Sequence, residues 1–200
     1  MKKHRTFAFS LAILGLTFSF SMSVKAQEPT TDDPDLKYAT ELLKPGTEAP
    51  DFALPTPAGD TVSLSSLRGH YVVLDFWASW CPDCRKDAPE IVRLHDMYKD
   101  RGVEFVGVSF DTDKNAWTKA VEKLGIKYTQ VSQLKKWKTE QLSQDYHVKW
   151  IPSIYLIDPQ GRVVLATVVS DKIAAELAKV FPACETPAEA CSISGSCCGR

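Results

Sequence analysis

The stretch that most constrains this chain is YVVLDFWASWCPDCRKDAPE, residues 71–90. Its first eight residues form a nearly continuous apolar run, the pattern of a strand buried on both faces. A Cys-Pro-Asp-Cys segment follows at once, and then Ile91, Leu94 and Tyr98 recur at helical spacing. Pro82 suits the first turn of a helix, where its missing N–H costs nothing. Cys81 therefore falls where a buried strand gives way to a helix start. Free N–H groups and the positive end of the helix dipole there favour a thiolate, the reactive form of sulfur. Cys84 lies one turn on, within disulfide reach. Two other uses of such a pair fit less well. A zinc ribbon wants a second C-x-x-C, which the chain lacks. A static bridge across so small a ring removes little chain entropy.

The remaining chain reads as strands alternating with helices. DFALPTPAGDTVSL (51–64) has the form of a hairpin, an apolar strip turned by Pro and Gly. VEFVGVSF (103–110) is a second buried strand, DKNAWTKAVEKLG (113–125) a helix stopped at Gly125, KYTQVS (127–132) a short strand, and LKKWKTEQLSQDY (134–146) a helix. SIYLID and RVVLATVV (153–158 and 162–169) form a hairpin about DPQG, and SDKIAAELAKVF (170–181) is a closing helix with Ser170 as its cap. This order predicts an α/β domain: a central mixed sheet covered by helices, with an N-terminal β-hairpin.

Four segments are expected. Residues 1–26 read as an export signal: a basic MKKHR, an apolar run, and small residues before a cut after Ala26, with an uncleaved membrane anchor as the alternative. Residues 27–46 read as a polar spacer carrying a short helix over 35–43, with Asp33 as its cap and Pro34 at its first position. Residues 47–182 are the folded domain, and 183–200 a tail with Cys184, Cys191, Cys197 and Cys198. The signal holds Lys2, Lys3, Arg5 and Lys25 and no acid. The 24 basic residues less these four leave 20 against 25 acids, a net charge of −5. That balance argues against nucleic acid or anionic lipid as the main partner. An exported chain would live in a periplasmic or other extracytoplasmic space, where disulfides persist. For the tail, three uses stay open: two structural disulfides, a thiolate site for a soft ion such as Cu(I) or Zn, or a dithiol relaying electrons to Cys81 and Cys84.

VVLDFWASWCPDC resembles the active-site stretch of the thioredoxin superfamily, and in particular the exported TlpA/ResA-like, AhpC/TSA-type thiol–disulfide oxidoreductases. The likeness spans roughly residues 45–182. It rests on Trp80-Cys81-Pro82-Asp83-Cys84, on Asp75 six residues before the first cysteine, on Pro89 in the following helix, and on Ile151-Pro152 in WIPSIYLID, which resembles the superfamily's cis-proline loop. The 68 residues from Cys84 to Pro152 imply a central helix–strand insert.

The resemblance implies a set of roles. Cys81 is the exposed nucleophile and Cys84 the more buried resolving thiol. Asp75 and Asp87 are the candidate carboxylates that take the resolving proton through water. Trp80, Pro82, Ile151 and Pro152 contact the client, and Trp150 would share an apolar rim with Trp80. Partners would be protein thiols and disulfides and a membrane or exported electron donor; no cofactor is expected, and the chain reads as a monomer. A negative Asp83 beside Cys81 opposes its thiolate and leans the couple towards a reductant. His70, His95 and His147 read as surface residues. Two rival activities stand: a thiol peroxidase, which wants a P-x-x-x-T-x-x-C setting that the stretch before Cys81 lacks, and a copper-carrying chaperone, for which His147 is the best additional ligand.

Overall fold

The computed structural model describes residues 32–182. The expectations for the export signal and for the four tail cysteines lie outside these residues. Among the described residues, no helix is long and apolar enough to cross a membrane.

Two strands, β1 (Ala53–Pro55) and β2 (Thr61–Ser63), pair antiparallel in the expected hairpin. The main sheet contains β3 (Tyr71–Trp77), β4 (Val103–Ser109), β5 (Thr129–Val131), β6 (Ser153–Ile157) and β7 (Val163–Thr167), in the order β5-β4-β3-β6-β7. β3, β4 and β5 are parallel; β6 runs antiparallel to β3, and β7 antiparallel to β6. The sheet is mixed, as the sequence predicts. Its central strand β3 is buried from Val72 to Trp77, which explains its lack of polar alternation. The helix α2 (Pro82–Tyr98) leaves the end of β3 and packs with α5 (Ser170–Val180), its buried residues being Cys84, Ala88, Ile91, Leu94 and Tyr98. Helix α3 (Lys114–Lys123) is capped by Asp113, whose carboxylate accepts from the amides of Asn115 and Ala116. With β5 it forms the expected insert.

Three expectations are corrected. The segment before residue 47 is not a free spacer. Its helix, α1 (Asp35–Tyr38), stops after four residues, because Ala39 and Leu42 turn inward and join the core. Lys172 of α5 binds Asp33 and Asp35 together, each at 2.6 Å, and Tyr38 stacks on Trp150 at 4.1 Å between ring centroids. The stretch 134–146 is helical only over α4 (Gln141–Asp145). Leu134 and Lys138 have φ of 54° and 68°, which a right-handed helix cannot contain, while Trp137 is drawn onto Phe110. Ser170 opens α5, but its hydroxyl does not cap the helix; it donates to Asp87 instead.

Candidate functional site

Cys81 and Cys84 are joined as a disulfide, with Cα atoms 5.3 Å apart. Cys81 occupies the N-cap position of α2 and Pro82 its first turn. The amide of Cys84 points at the Cys81 sulfur, 3.0 Å away. The other side of that sulfur touches the carbonyl oxygen of Ile151 at 3.6 Å, and the Ile151–Pro152 bond is cis. The active-site segment and the proline loop, 70 residues apart in the chain, therefore meet at one sulfur atom.

Burial does not distinguish the two cysteines as the sequence suggests. Cys81 is 4% exposed and Cys84 3%. What separates them is position: only Cys81 stands before the helix, where a 17-residue run of peptide dipoles and the Cys84 amide favour its thiolate.

The loop Ala78–Trp80 delivers Cys81 to this position, and a residue that the sequence does not single out holds it. Asp111, buried just past the end of β4, accepts from the Ser79 amide at 2.9 Å, the Ser79 hydroxyl at 2.5 Å and the Ser109 hydroxyl at 2.7 Å. The backbone of Cys81 in turn donates to the Ala78 carbonyl. In SFDTDK, Asp111 looks like one of two turn acids, and nothing local marks it as the buried one. Trp80 projects from this loop, half-exposed, towards Trp137 at 6.0 Å. Trp77 faces inward and donates its indole N–H to Gln130 at 3.0 Å.

Asp75 lies in the middle of β3, paired with Gly107 on β4 and Ile154 on β6. It is 6% exposed, and its carboxylate accepts from the Tyr128 hydroxyl at 3.2 Å. Burial above all, and then the charge of Asp87, push its carboxyl up to about 7; the Tyr128 bond pulls weakly the other way. Nothing in the sequence around Tyr128 marks it as a partner of Asp75. Burial and the neighbouring Asp75 raise its own phenol well above the usual value, so it remains a donor. His95, expected at the surface, instead packs against the rings of Phe105 and Tyr128 with most of its side chain covered. His147 is exposed, its Nδ1 3.0 Å from the Glu41 carbonyl.

Asp87, one turn beyond Cys84, is half-buried. Ser170 donates to its Oδ1, and its Oδ2 is buried without a partner. Burial raises this carboxyl too, the Ser170 bond opposes that, and the charges of Asp171 and Glu90 add to it. Asp75 and Asp87 thus come from different elements, yet the charge of Asp87 reaches Asp75. Asp87 also lines a groove of about 510 Å³ beside the disulfide, walled by Pro152, Trp150, Tyr38, Asp83 and the turn into α5.

Comparison with known proteins agrees with this geometry. Residues 45–166 match the model of the AhpC/TSA family. Over 124 residues, 62% of this chain and 67% of the relative, the sequence is 32% identical to the thiol-disulfide oxidoreductase ResA of Bacillus subtilis (strain 168). Among solved structures, the thioredoxin domain of a thiol-disulfide oxidoreductase from Bacteroides vulgatus superposes with a TM-score of 0.64 at 32% identity, covering 69% of this chain and 98% of that one. A thiol:disulfide interchange protein from Bacteroides sp. gives 0.64 at 29% identity, covering 74% and 96%.

Proposed function

The chain belongs to the AhpC/TSA family and is a thiol–disulfide oxidoreductase of thioredoxin-like fold, and from that premise we propose that it reduces protein disulfides in an extracytoplasmic compartment, with Cys81 as nucleophile and Cys84 as resolving thiol. The observation that carries the reading is the single sulfur atom of Cys81, set at the start of α2 and against the Ile151–Pro152 loop.

In the reduced protein, the Cys81 thiolate attacks one sulfur of a client disulfide. A mixed disulfide forms and one client thiolate leaves. The Cys84 thiol then gives up its proton and attacks the Cys81 sulfur. The second client thiolate departs, and the Cys81–Cys84 disulfide closes. Two electrons have passed to the client, and an exported dithiol donor must return them. Asp87, one turn from Cys84, and Asp75, pushed up to about 7, are the proposed acceptors of the resolving proton, directly or through water. A carboxyl with a value near neutrality can both take and return a proton at neutral pH, which an ordinary solvated aspartate cannot do efficiently. Ile151 and Pro152 would present their backbone to an extended client segment. Trp80 and Pro82 form the exposed rim around the sulfur.

The extracytoplasmic location is supported by the basic and apolar N-terminus with its small-residue site after Ala26. The reductive direction is supported by Asp83 in the first turn of α2, whose negative charge disfavours a thiolate at Cys81. Both parts can be tested. In a Cys84→Ala variant the mixed disulfide cannot resolve, so clients and donor should accumulate as covalent adducts on Cys81. Equilibration of the wild-type couple with glutathione gives its potential. A value as oxidising as that of dedicated oxidants, about −120 mV, would reverse the direction proposed.

A further inference from the structure

The groove beside the disulfide has an unequal distribution of charge. Asp83, Asp87 and Glu90 face it from α2, and Asp171 from the start of α5. The basic residue in its lining is Lys86. Three other cations stand close by, and each is engaged; Lys37 lies over the Tyr38 ring, 4.8 Å from its centroid. Lys172 is held by Asp33 and Asp35, and Arg93 by Glu90, which its Nε reaches at 2.8 Å. Lys172 and Arg93 are thus committed to carboxylates other than Asp83, Asp87 and Asp171, Arg93 also feeling the charge of Asp171 from a distance. Opposite them stands an aromatic wall, where Tyr38 stacks on Trp150. The Lys172 bridge fixes this wall by tying Asp33 and Asp35, which bracket Pro34, to α5. Acidic groups on one side and π faces on the other are both attractive to ammonium and guanidinium groups. An acidic segment would meet repulsion from one side and gain nothing from the other.

We infer that this groove receives a lysine- or arginine-rich segment of the client polypeptide, so that the protein selects disulfides flanked by basic sequence. The inference rests on the exchange activity proposed above and adds the substrate class. The groove adjoins Pro152, so a client cysteine engaged at Cys81 brings its neighbouring residues along the acidic wall. Four carboxylates, one of them paired with Arg93, against one lysine act mainly on encounter and orientation. Their effect should therefore appear in kcat/KM and fade with salt.

The test uses the full mature chain, reduced, and two disulfide-containing peptides of equal length that differ only in carrying Lys or Glu beside the cystine. At low ionic strength the Lys peptide should be reduced with a kcat/KM about ten-fold or more above that of the Glu peptide. At about 0.5 M salt the ratio should approach one. Asp171→Lys, an exposed change away from the sulfurs, should lower the ratio several-fold, and Asp171→Asn should lower it less. A ratio near one at low salt, or a ratio unmoved by Asp171→Lys, overturns the inference and leaves the exchange activity standing. If neither peptide is reduced, the proposed reductase activity itself fails, and the groove inference with it.

Discussion

At the scale of single residues, the site is a problem of where protons and charges are allowed. Asp75 is visible in the sequence because an acid inside YVVLDFW has no cheap structural explanation. Tyr128 and Asp111 are not visible, because each acquires its role only when strands distant in sequence become neighbours. The raised value of Asp75 has a thermodynamic sign. The folded state binds this proton up to about pH 7, while an unfolded aspartate releases it near 3.9. Between those values the folded chain holds a proton that the unfolded chain lacks, so stability falls as pH rises through the window. Asp75→Asn should remove that loss, which amounts to about 1.4 kcal/mol for each pH unit between the two values. Denaturant unfolding should show the variant gaining on the wild type progressively from pH 4 to pH 7 and holding the gain above. Glu140, buried with neither oxygen partnered and also pushed up to about 7, contributes a slope of the same sign to both proteins, so the difference isolates Asp75. The same substitution should slow the resolving step, with the rate losing its pH dependence near neutrality. Asp111 makes the opposite prediction. It accepts two hydrogen bonds from Ser79 in the loop before Cys81 and a third from Ser109 at the end of β4. Asp111→Ala should cost about 2–4 kcal/mol by leaving buried donors unmatched, and should lower exchange rates beyond what the stability loss explains.

At the scale of elements, sequence patterns succeed where one period dominates and fail where tertiary contacts decide. The buried runs of β3 and β4, the hairpins, and the helices α2, α3 and α5 are legible because burial repeats along each. The stretch 134–146 has helical composition, yet Leu134 and Lys138 adopt positive φ so that Trp137 can reach Phe110. No local signal records that competition. The sheet carries a similar hidden constraint between β4 and β5. A Cβ on Gly107 would stand 2.3 Å from the Gln130 amide nitrogen, the same side chain that receives the Trp77 indole. Gly107→Ala should therefore displace Gln130 and orphan a buried indole N–H, costing about 1–3 kcal/mol. Near-ultraviolet circular dichroism, which reports the Trp77 environment, should change while the far-ultraviolet spectrum does not. Unaltered near-ultraviolet signal and stability would mean that Gln130 can move away without loss.

At the scale of the whole molecule, the question is where the folding unit begins and ends. The boundary drawn from composition at residue 47 cuts through contacts that the structure shows to be built in. Ala39 and Leu42 are core residues, and the pair Asp33–Asp35 bridges to Lys172. At the other end, Phe181 packs on Tyr71 and Tyr98, and Arg101 grips the carbonyls of Phe181 and Pro182 at 3.1 and 2.9 Å. The described residues thus contain a core closed at both ends. A chain of residues 32–182 should fold cooperatively and retain disulfide exchange at Cys81 and Cys84. A chain starting at residue 47 should lose several kcal/mol, since buried Leu42, at about 1.5–3 kcal/mol, and the Ala39 methyl, at about 0.8 kcal/mol, are removed with the Lys172 bridge. It should also lose the aromatic wall formed by Tyr38. The tail beyond Pro182, with its four cysteines, should then be dispensable for folding, and truncation after Pro182 tests it for a role of its own. Three outcomes separate the uses it could serve. If truncation after Pro182 leaves both the melting temperature and turnover with a thiol donor unchanged, and thiol titration of the full chain finds the four cysteines already paired, they form disulfides that serve neither. If metal copurifies with the full chain and is lost on truncation, the tail is a thiolate ion site. If folding and insulin reduction persist while turnover with the physiological donor falls, its thiols carry electrons to Cys81 and Cys84. A truncated chain that fails to fold would place part of the tail inside the core and move the boundary argued here.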